Sequence, residues 1–339
     1  MNVIPGASSN GRFDPHPLLA GGHRQTVLAH LVRRHLRWCH ATEDMVVRTG
    51  DEARLLLRVT WQPGPREERP ALVVVHGLGG SDSSSYMVST GALAFARGWH
   101  VVRMNMRGSG DGEALCPRLY NAGLDGDLLD VLDAIARLVP RVAVVGFSLG
   151  ANLTLLALGR GRERLPPGVE AAVAISPPVD LSACADALER PGNRIYQHYF
   201  MRMLAETYRQ RHRDHPELFP PGRELGARTI REYDHRITAP LGGYESAADY
   251  YARSSAGPHM ALIERPTLVL SAVDDPMVPA ASVERWPLSP LVQRELTSTG
   301  GHVGYVGRAA APGFFWAPDR ALAFLEGAMP GAPPTAAQP

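Results

Sequence analysis

The stretch Val142–Gly159 reads VAVVGFSLGANLTLLALG, and this stretch decides the fold. It opens with a short apolar run of the kind that forms a buried strand of a parallel sheet. It closes with a segment that predicts a helix apolar almost all round, as expected of a helix that covers a sheet. Between strand and helix stands the pentapeptide Gly146-Phe147-Ser148-Leu149-Gly150.

A G-x-S-x-G turn between a strand and a helix is typical of a nucleophile elbow. Such a turn holds the serine backbone in a sparsely populated conformation and lifts the hydroxyl above the sheet. Neighbouring chain passes so close that the positions two before and two after the serine must be small, and here they are Gly146 and Gly150. Alone, the pentapeptide could be an idle glycine-rich turn, but in this context we interpret Ser148 as a nucleophile.

A serine hydroxyl needs a base held by an acid, because it is a poor nucleophile at neutral pH. In sites built on such an elbow the chain order is serine, then aspartate or glutamate, then histidine. Here His302 stands in a Gly-Gly-His-Val-Gly turn after the strand-like run Leu291–Thr297. A histidine in a glycine-rich loop is ordinarily an idle surface residue, and only its place in this order makes it the predicted base.

Three aspartates are candidates for the acid. Asp275 follows the strand-like run Pro266–Ala272 and lies four residues before Pro279, a D-x-x-x-P spacing common for this acid. Its neighbour Asp274 could instead hydrogen-bond the turn. Asp180 follows the strand-like run Ala171–Ser176, to which some enzymes with such an elbow move the acid. We favour Asp275 because of its spacing to Pro279, and it also stands at the carboxyl end of a strand, where sites of open α/β sheets lie.

Two backbone amides must bind the negative charge that develops on a carbonyl oxygen under attack. One is predicted to be the amide of Leu149, directly after the nucleophile. The other is expected from the His76-Gly77-Leu78-Gly79-Gly80 loop that ends the strand-like run beginning at Ala71, with Leu78 as its donor.

Strand-like and helical patterns alternate on both sides of the elbow, which predicts right-handed crossovers and a mostly parallel sheet flanked by helices. Strands are predicted at Leu55–Thr60, Ala71–His76, His100–Met104, Ala171–Ser176, Pro266–Ala272 and Leu291–Thr297, and helices at Tyr86–Arg97, Asp125–Val139 and Ala317–Leu325.

The alternation of strands and helices stops over residues 181–263, a stretch too long for a plain loop. We therefore expect a helical lid inserted after the strand Ala171–Ser176, which is the sixth strand of this fold. Residues 41–180 and 264–328 then form the core, and 329–339 a tail disordered by composition. Residues 1–40 form an N-terminal arm whose helix, His23–Trp38, would dock by an apolar face. That face comprises Val27, Leu28, Leu31, Val32 and Leu36. An interfacial membrane helix is the alternative, because arginines line its other side.

The amino-acid composition excludes several classes of catalytic chemistry and of binding partner. The 339 residues carry a net charge of +1, which gives no electrostatic case for nucleic acid or an acidic membrane. Every basic residue is arginine, so Schiff-base, P-loop and Ser–Lys chemistry are excluded. The three cysteines form no disulfide framework, and neither metal-ligand spacing nor a signal peptide or membrane span is found. We therefore expect a cytoplasmic protein with no metal, no cofactor and no membrane anchor.

Taken together, HGLGG, GFSLGAN, the Asp-Asp-Pro after a strand and GGH resemble the α/β-hydrolase superfamily. Further motifs in order along the chain resemble its YheT-like family, which includes esterases, alcohol acyltransferases and lipases. These motifs are Gly22–Thr26, Arg107–Gly110, Pro117–Gly123, Thr229–Asp234 and Tyr250-Tyr251. The resemblance implies the α/β-hydrolase fold and a triad of Ser148, Asp275 and His302. No step of the chemistry requires the segments His23–Thr26 (HRQT) and Pro117–Tyr120 (PRLY), so we interpret both as structural.

The leading hypothesis is a cofactor-free serine carboxylesterase acting on small ester or lipid-like substrates with short to medium acyl chains. An alcohol acyltransferase would use the same acyl-enzyme, with an alcohol in place of water. A catalytically silent binding protein on the same fold is the alternative of another class.

Overall fold

Eight strands form one sheet in this computed structural model, which describes residues 13–33, 37–308 and 316–330. The strand order is β1-β2-β4-β3-β5-β6-β7-β8, with β2 antiparallel to both neighbours and β3 to β8 parallel throughout. The strands are β1 (Glu43–Arg48), β2 (Arg54–Thr60), β3 (Ala71–Val75), β4 (His100–Met104), β5 (Val142–Phe147), β6 (Val169–Ile175), β7 (Thr267–Ala272) and β8 (Val292–Thr297). The predicted sheet is confirmed. Of its eight strands, the sequence pattern does not predict the edge strand β1, because most of the residues of β1 are exposed and form no apolar run.

Helices cover both faces of the sheet, as the alternation predicts. Helices α2 and α11 pack on one face, and α3 and α4 on the other. In chain order the helices are α1 (Gly22–Arg33), α2 (Ser85–Ala96), α3 (Asp125–Ala136), α4 (Leu149–Gly159), α5 (Leu181–Glu189), α6 (Arg194–Asp214), α7 (Ile230–Tyr233), α8 (Ala239–Gly242), α9 (Ala247–Ser254), α10 (Ala280–Glu284) and α11 (Trp316–Ala328). Helix α3 ends three residues before the predicted Val139. None of the described helices is long and apolar enough to cross a membrane.

The centre of the sheet is apolar on both faces. Along β5, Val142 and Val144 pack towards α3 and α4, while Val145 and Phe147 face the layer of α2 and α11. Every residue of α4 is buried, which explains why its sequence shows no polar side. This packing holds the turn between β5 and α4 at the carboxyl edge of the sheet.

The N-terminal helix docks by a different face from the one predicted. It ends at Arg33 in the described residues, Trp38 is not helical, and residues 34–36 lie outside the description. Val27 and Leu31 are exposed, Leu28 is half-buried, and the buried side chains are Gln25 and Ala29. The predicted apolar face is wrong at Val27 and Leu31, because the helix contacts the loop after β8 through small and polar residues. The side chains of Val32 and Leu36 lie outside the described residues.

Residues 181–263, called the inserted segment below, contain α5 to α9 and no strand among the eight. Part of the segment has its own small core of Tyr208, Phe219, Tyr233 and Ile237. Tyr250 and Tyr251 of α9 join the main core instead. At the other end of the chain, Met329, which the sequence assigned to the tail, is fully buried, and residues 331–339 lie outside the description.

Substitutions of Gly150 and Gly327 by alanine test how tightly the turn around Ser148 is packed. A Cβ on Gly150 would lie 2.4 Å from the carbonyl oxygen of His76 and 2.5 Å from that of Val75. We therefore expect Gly150→Ala to lower the free energy of unfolding by ~1–3 kcal/mol in urea denaturation, since backbone cannot easily move aside. Gly327→Ala in α11 is the matched control, because nothing lies within 4 Å of its added methyl. It should raise stability by up to ~1 kcal/mol, and equal effects of the two changes would contradict the packing argument.

Candidate active site

The turn at Ser148 has the geometry that its flanking glycines predict. Ser148 has φ 50° and ψ −120°, a left-handed backbone rare for a residue with a side chain. Its N–H donates to the carbonyl of Ile175 at 2.9 Å. A Cβ on Gly146 would come within 2.4 Å of both Gly150 O and Thr154 Oγ1. The predicted need for small residues on both sides of the serine is thus confirmed.

Three of the predicted site residues meet at the carboxyl edge of the sheet. Nε2 of His302 lies 2.8 Å from Oγ of Ser148, and Nδ1 of His302 lies 2.8 Å from Oδ2 of Asp275. The other carboxylate oxygen of Asp275 accepts the amides of Met277 at 2.8 Å and Val278 at 2.9 Å. The Asp275 side chain is completely buried and that of His302 is 11% exposed. This series of hydrogen bonds can pass the serine proton to a neutral imidazole whose Nδ1–H donates to the carboxylate.

The two other candidate aspartates are bound elsewhere. Asp180 accepts the Ala183 amide at 3.0 Å as the N-cap of α5 and also pairs with Arg285. Asp274 accepts the Gly301 amide at 2.9 Å, and burial raises the pKa of its carboxyl group. Of the three aspartates weighed from the sequence, Asp275 is the one hydrogen-bonded to His302.

The loop after β3 presents one unbound amide between two bound ones. The N–H of Gly77 donates to the Tyr86 hydroxyl at 3.0 Å, and the N–H of Gly79 donates to the Tyr120 hydroxyl at 2.7 Å. In the described part of the chain no group accepts the N–H of Leu78 between them. The N–H of Leu149 also has no acceptor there, since it is the first amide of α4. Both leucines line the same cavity as Ser148.

His76 holds this loop from below. It is fully buried, and its Nδ1 contacts the Gly77 carbonyl at 2.8 Å. Its Nε2 accepts the Met106 amide at 3.1 Å and lies 3.0 Å from Ser109 Oγ. The accepting Nε2 requires the proton on Nδ1. Burial lowers the pKa of His76 to about 4, so the imidazole is neutral at physiological pH. The resemblance motifs at Arg107–Gly110 and Pro117–Gly123 thus support the loop through Ser109 and Tyr120. The sequence marked Tyr120 as part of a structural segment but did not show that it binds this loop.

A cavity of about 520 Å³ opens at Ser148, between the sheet edge and the inserted segment. Its walls are mostly apolar, and residues of the inserted segment form a large part of them. Apolar lining residues include Leu119, Leu181, Leu188, Phe200, Met203, Leu204, Ile230, Leu241, Met277 and Val278. The volume lies within the range of small-molecule sites.

Apart from His302, the titratable acidic and basic side chains that line this cavity in the described residues are carboxyl groups. They are Glu113, Glu206 and Asp234, and none of the described arginines is among the lining residues. Asp234 accepts the Tyr251 hydroxyl at 2.7 Å, and burial raises its pKa to about 6. Among the described residues the cavity therefore has no arginine in its lining to bind an anionic group.

Comparison with known proteins agrees with the geometry. The family model described as alpha/beta hydrolase fold matches residues 70–309. "Putative esterase YheT" of Escherichia coli (strain K12) is 33% identical over 94% of this chain and 95% of its own. Human "Phospholipase ABHD3" is 30% identical over 70% of this chain but only 59% of its own length. Among solved structures, a Pyrobaculum calidifontis esterase superposes with a TM-score of 0.53 at 18% identity, covering 91% of this chain and 90% of the other.

The sheet order, the elbow and the family match together define a hydrolase-type α/β fold. The chain belongs to the α/β-hydrolase fold family and, within it, to the YheT-like group.

The neutral, buried His76 predicts a loss of stability in acid. Its pKa is lowered from 6.5 to about 4 in the folded state, so the folded protein binds this proton less readily than the unfolded chain. Its contribution is complete above pH 6.5 and is lost as the pH falls towards 4, by about 3 kcal/mol at pH 4. Urea denaturation at pH 7 and pH 4 should show a smaller acid loss in His76→Gln than in the wild type. Equal losses would contradict a buried neutral imidazole.

Proposed function

We propose that the protein is a serine carboxylesterase that hydrolyses short- to medium-chain carboxylic esters through an acyl-enzyme intermediate. The observation that carries the proposal is the continuous hydrogen-bond series from Ser148 through His302 to Asp275. This order of hydroxyl, imidazole and buried carboxylate is the one that activates a serine for acyl transfer.

In the first half of the reaction Ser148 attacks the ester carbonyl. Its hydroxyl proton passes to Nε2 of His302, and the Oγ–carbon bond forms. The resulting imidazolium is stabilised by Asp275, which accepts from Nδ1. His302 then gives the proton to the leaving alkoxide, so that an alcohol departs and the acyl group stays on Ser148.

The negative charge on the tetrahedral intermediate needs preorganised donors. The amides of Leu78 and Leu149 supply them in this proposal, since neither has a hydrogen-bond acceptor within the described residues and both lie at the cavity. Donors that are fixed before the reaction cost no reorganisation when the charge develops. The tyrosine hydroxyls that bind the flanking amides of Gly77 and Gly79 keep the loop in place.

In the second half water replaces the alcohol. His302 removes a proton from water, the hydroxide attacks the acyl carbon, and the carboxylic acid leaves as Ser148 recovers its proton. The proposed steps use side chains, two backbone amides and water.

The cavity supports an uncharged, apolar ester as the substrate. Its walls are mostly apolar, and none of the described arginines lines it. Arg211 pairs with Glu113, and Arg209 and Arg213 pair with Glu206, from outside the lining. The name of the human relative indicates a phospholipid substrate for that protein. Here, none of the described arginines lines the cavity to bind a phosphate, while the Asp234 carboxyl group does line it, which favours simple carboxylic esters over phospholipids.

Ser148→Ala should abolish esterase activity and leave the fold intact, because the covalent route requires the hydroxyl. The expected loss in kcat is on the order of 10⁴–10⁶. Activity is measured with p-nitrophenyl esters from acetate to dodecanoate, with the wild-type maximum expected among the short and medium chains. A fluorophosphonate probe should label the wild type and not the variant. A wild type that hydrolyses none of these esters and is not labelled would exclude the proposal, as would an unchanged rate in the folded variant.

Three aspartate variants separate the proposed acid from its neighbours. Asp275→Asn should lower kcat by roughly three to four orders of magnitude, because an amide there favours the wrong tautomer of His302. Asp274→Asn keeps an oxygen for the Gly301 amide, and Asp180→Asn keeps a helix N-cap, so each should lose less than about tenfold. Circular dichroism checks that all three are folded. If Asp180→Asn lost most of its kcat and Asp275→Asn lost little, the acid would be Asp180, in the loop after β6, and not Asp275.

A further inference from the structure

The loop that carries His302 has an unusual backbone. Four residues between 300 and 305 have positive φ: Gly300 at 155°, Gly301 at 58°, Val303 at 56° and Tyr305 at 49°. A left-handed backbone is rare for a bulky residue, and for a β-branched one such as Val303 it is a genuine outlier. A loop of this kind keeps its shape only when its surroundings hold it there.

Two side chains of α1 hold this loop by its main chain. Oγ1 of Thr26 accepts the N–H of His302 itself at 2.9 Å and donates to the Gly22 carbonyl at 2.7 Å. Gln25 binds Val306 at both backbone groups, with Nε2 donating to its carbonyl at 3.1 Å and Oε1 accepting its N–H at 2.8 Å. Gln25 is completely buried, so these two bonds satisfy an amide that would otherwise be costly to bury.

The backbones of helix and loop are also in direct contact. A Cβ on Gly301 would lie 2.4 Å from the Gly22 carbonyl, and one on Gly22 would lie 1.7 Å from the carbonyl of Asp274. A Cβ on Gly304 would lie 2.8 Å from the carbonyl of Gln25. The start of α1 is therefore fitted between the loop of the proposed acid and the loop of the proposed base.

We propose that Thr26 and Gln25 are positioning residues for His302. By binding the main chain at His302 and four residues beyond it, they keep the imidazole in line between Asp275 and Ser148. The inference rests on the proposed esterase function. It explains why the buried face of α1 contains polar Gln25 while Val27 and Leu31 are exposed. Neither residue touches the reacting atoms, so each acts through the geometry of His302 alone.

Variants at position 26 test the proposal. Thr26→Val keeps the shape of the side chain but removes the acceptor for the His302 amide. We expect kcat for p-nitrophenyl butyrate to fall about ten- to hundredfold with KM within about threefold, because a small misplacement of a catalytic group costs rate rather than binding. The rate of labelling by a fluorophosphonate should fall in parallel. Thr26→Ser restores the hydroxyl and should return kcat to within about threefold of the wild type.

Arg24→Ala is the matched control, since Arg24 belongs to the same helix and is exposed. It should change neither kcat nor the labelling rate. Gln25→Met tests a second position, because it removes both hydrogen bonds to Val306. If that variant does not fold, the comparison of Thr26→Val with Thr26→Ser still tests the proposal. A Thr26→Val enzyme with wild-type kcat would overturn the proposal, and so would a Thr26→Ser enzyme as slow as Thr26→Val.

Hydrogen–deuterium exchange separates this proposal from the proposed function. Amides of residues 300–306 should exchange faster in Thr26→Val than in the wild type or Arg24→Ala, and unchanged exchange would overturn the proposal. If the wild type itself neither hydrolyses esters nor reacts with the fluorophosphonate, the proposed function fails and the positioning role with it. Faster exchange in Thr26→Val would then identify α1 as a structural support only.

Discussion

Neither glycine that flanks Ser148 can accept a side chain, because the end of β3 crowds Gly150 and the start of α4 crowds Gly146, and the site depends on this crowding. The same closeness extends to the next loop, where a Cβ on Gly77 would come 3.0 Å from Cβ of Ser148. Because β3 and β5 are adjacent parallel strands, their carboxyl ends bring the serine and the Leu78 amide to one place. The proposed nucleophile and the proposed oxyanion donors are therefore positioned by one packing constraint.

The other two members of the site are supported in different ways. Asp275 is fixed locally, by two amides that directly follow it in the chain. His302 stands in a strained loop whose main chain is bound by residues 276 positions earlier. A base that must accept and return a proton needs one fixed orientation. We infer that the support for this orientation comes from α1, whose Thr26 and Gln25 lie 276 and 281 positions before the residues that they bind.

The wall of the cavity at Ser148 is formed largely by other parts of the fold. The core strands and their loops carry the proposed reactive groups, while the inserted segment supplies much of the cavity wall, including Phe200, Met203 and Ile230. Changes in that segment can alter the cavity without moving Ser148 or Asp275, since α4 and β7 are buried in the main core. The proposed reactive groups and the cavity wall thus belong to different segments, and one fold can serve many substrates when they do.

The sequence by itself determined the sheet, the elbow and the order of serine, acid and base. The sheet and the elbow are visible in local signals, apolar periodicity and glycine spacing, and the order follows from positions in the chain. The D-x-x-x-P spacing and the resemblance favoured Asp275 over Asp180, but only the tertiary structure brings its carboxylate to His302. It also decided which face of α1 is buried: Gln25 has no apolar signal, and its partner Val306 lies at the far end of the chain. Contacts between distant segments leave no periodicity in either of them, and for this reason the support of His302 could be found only in the folded molecule.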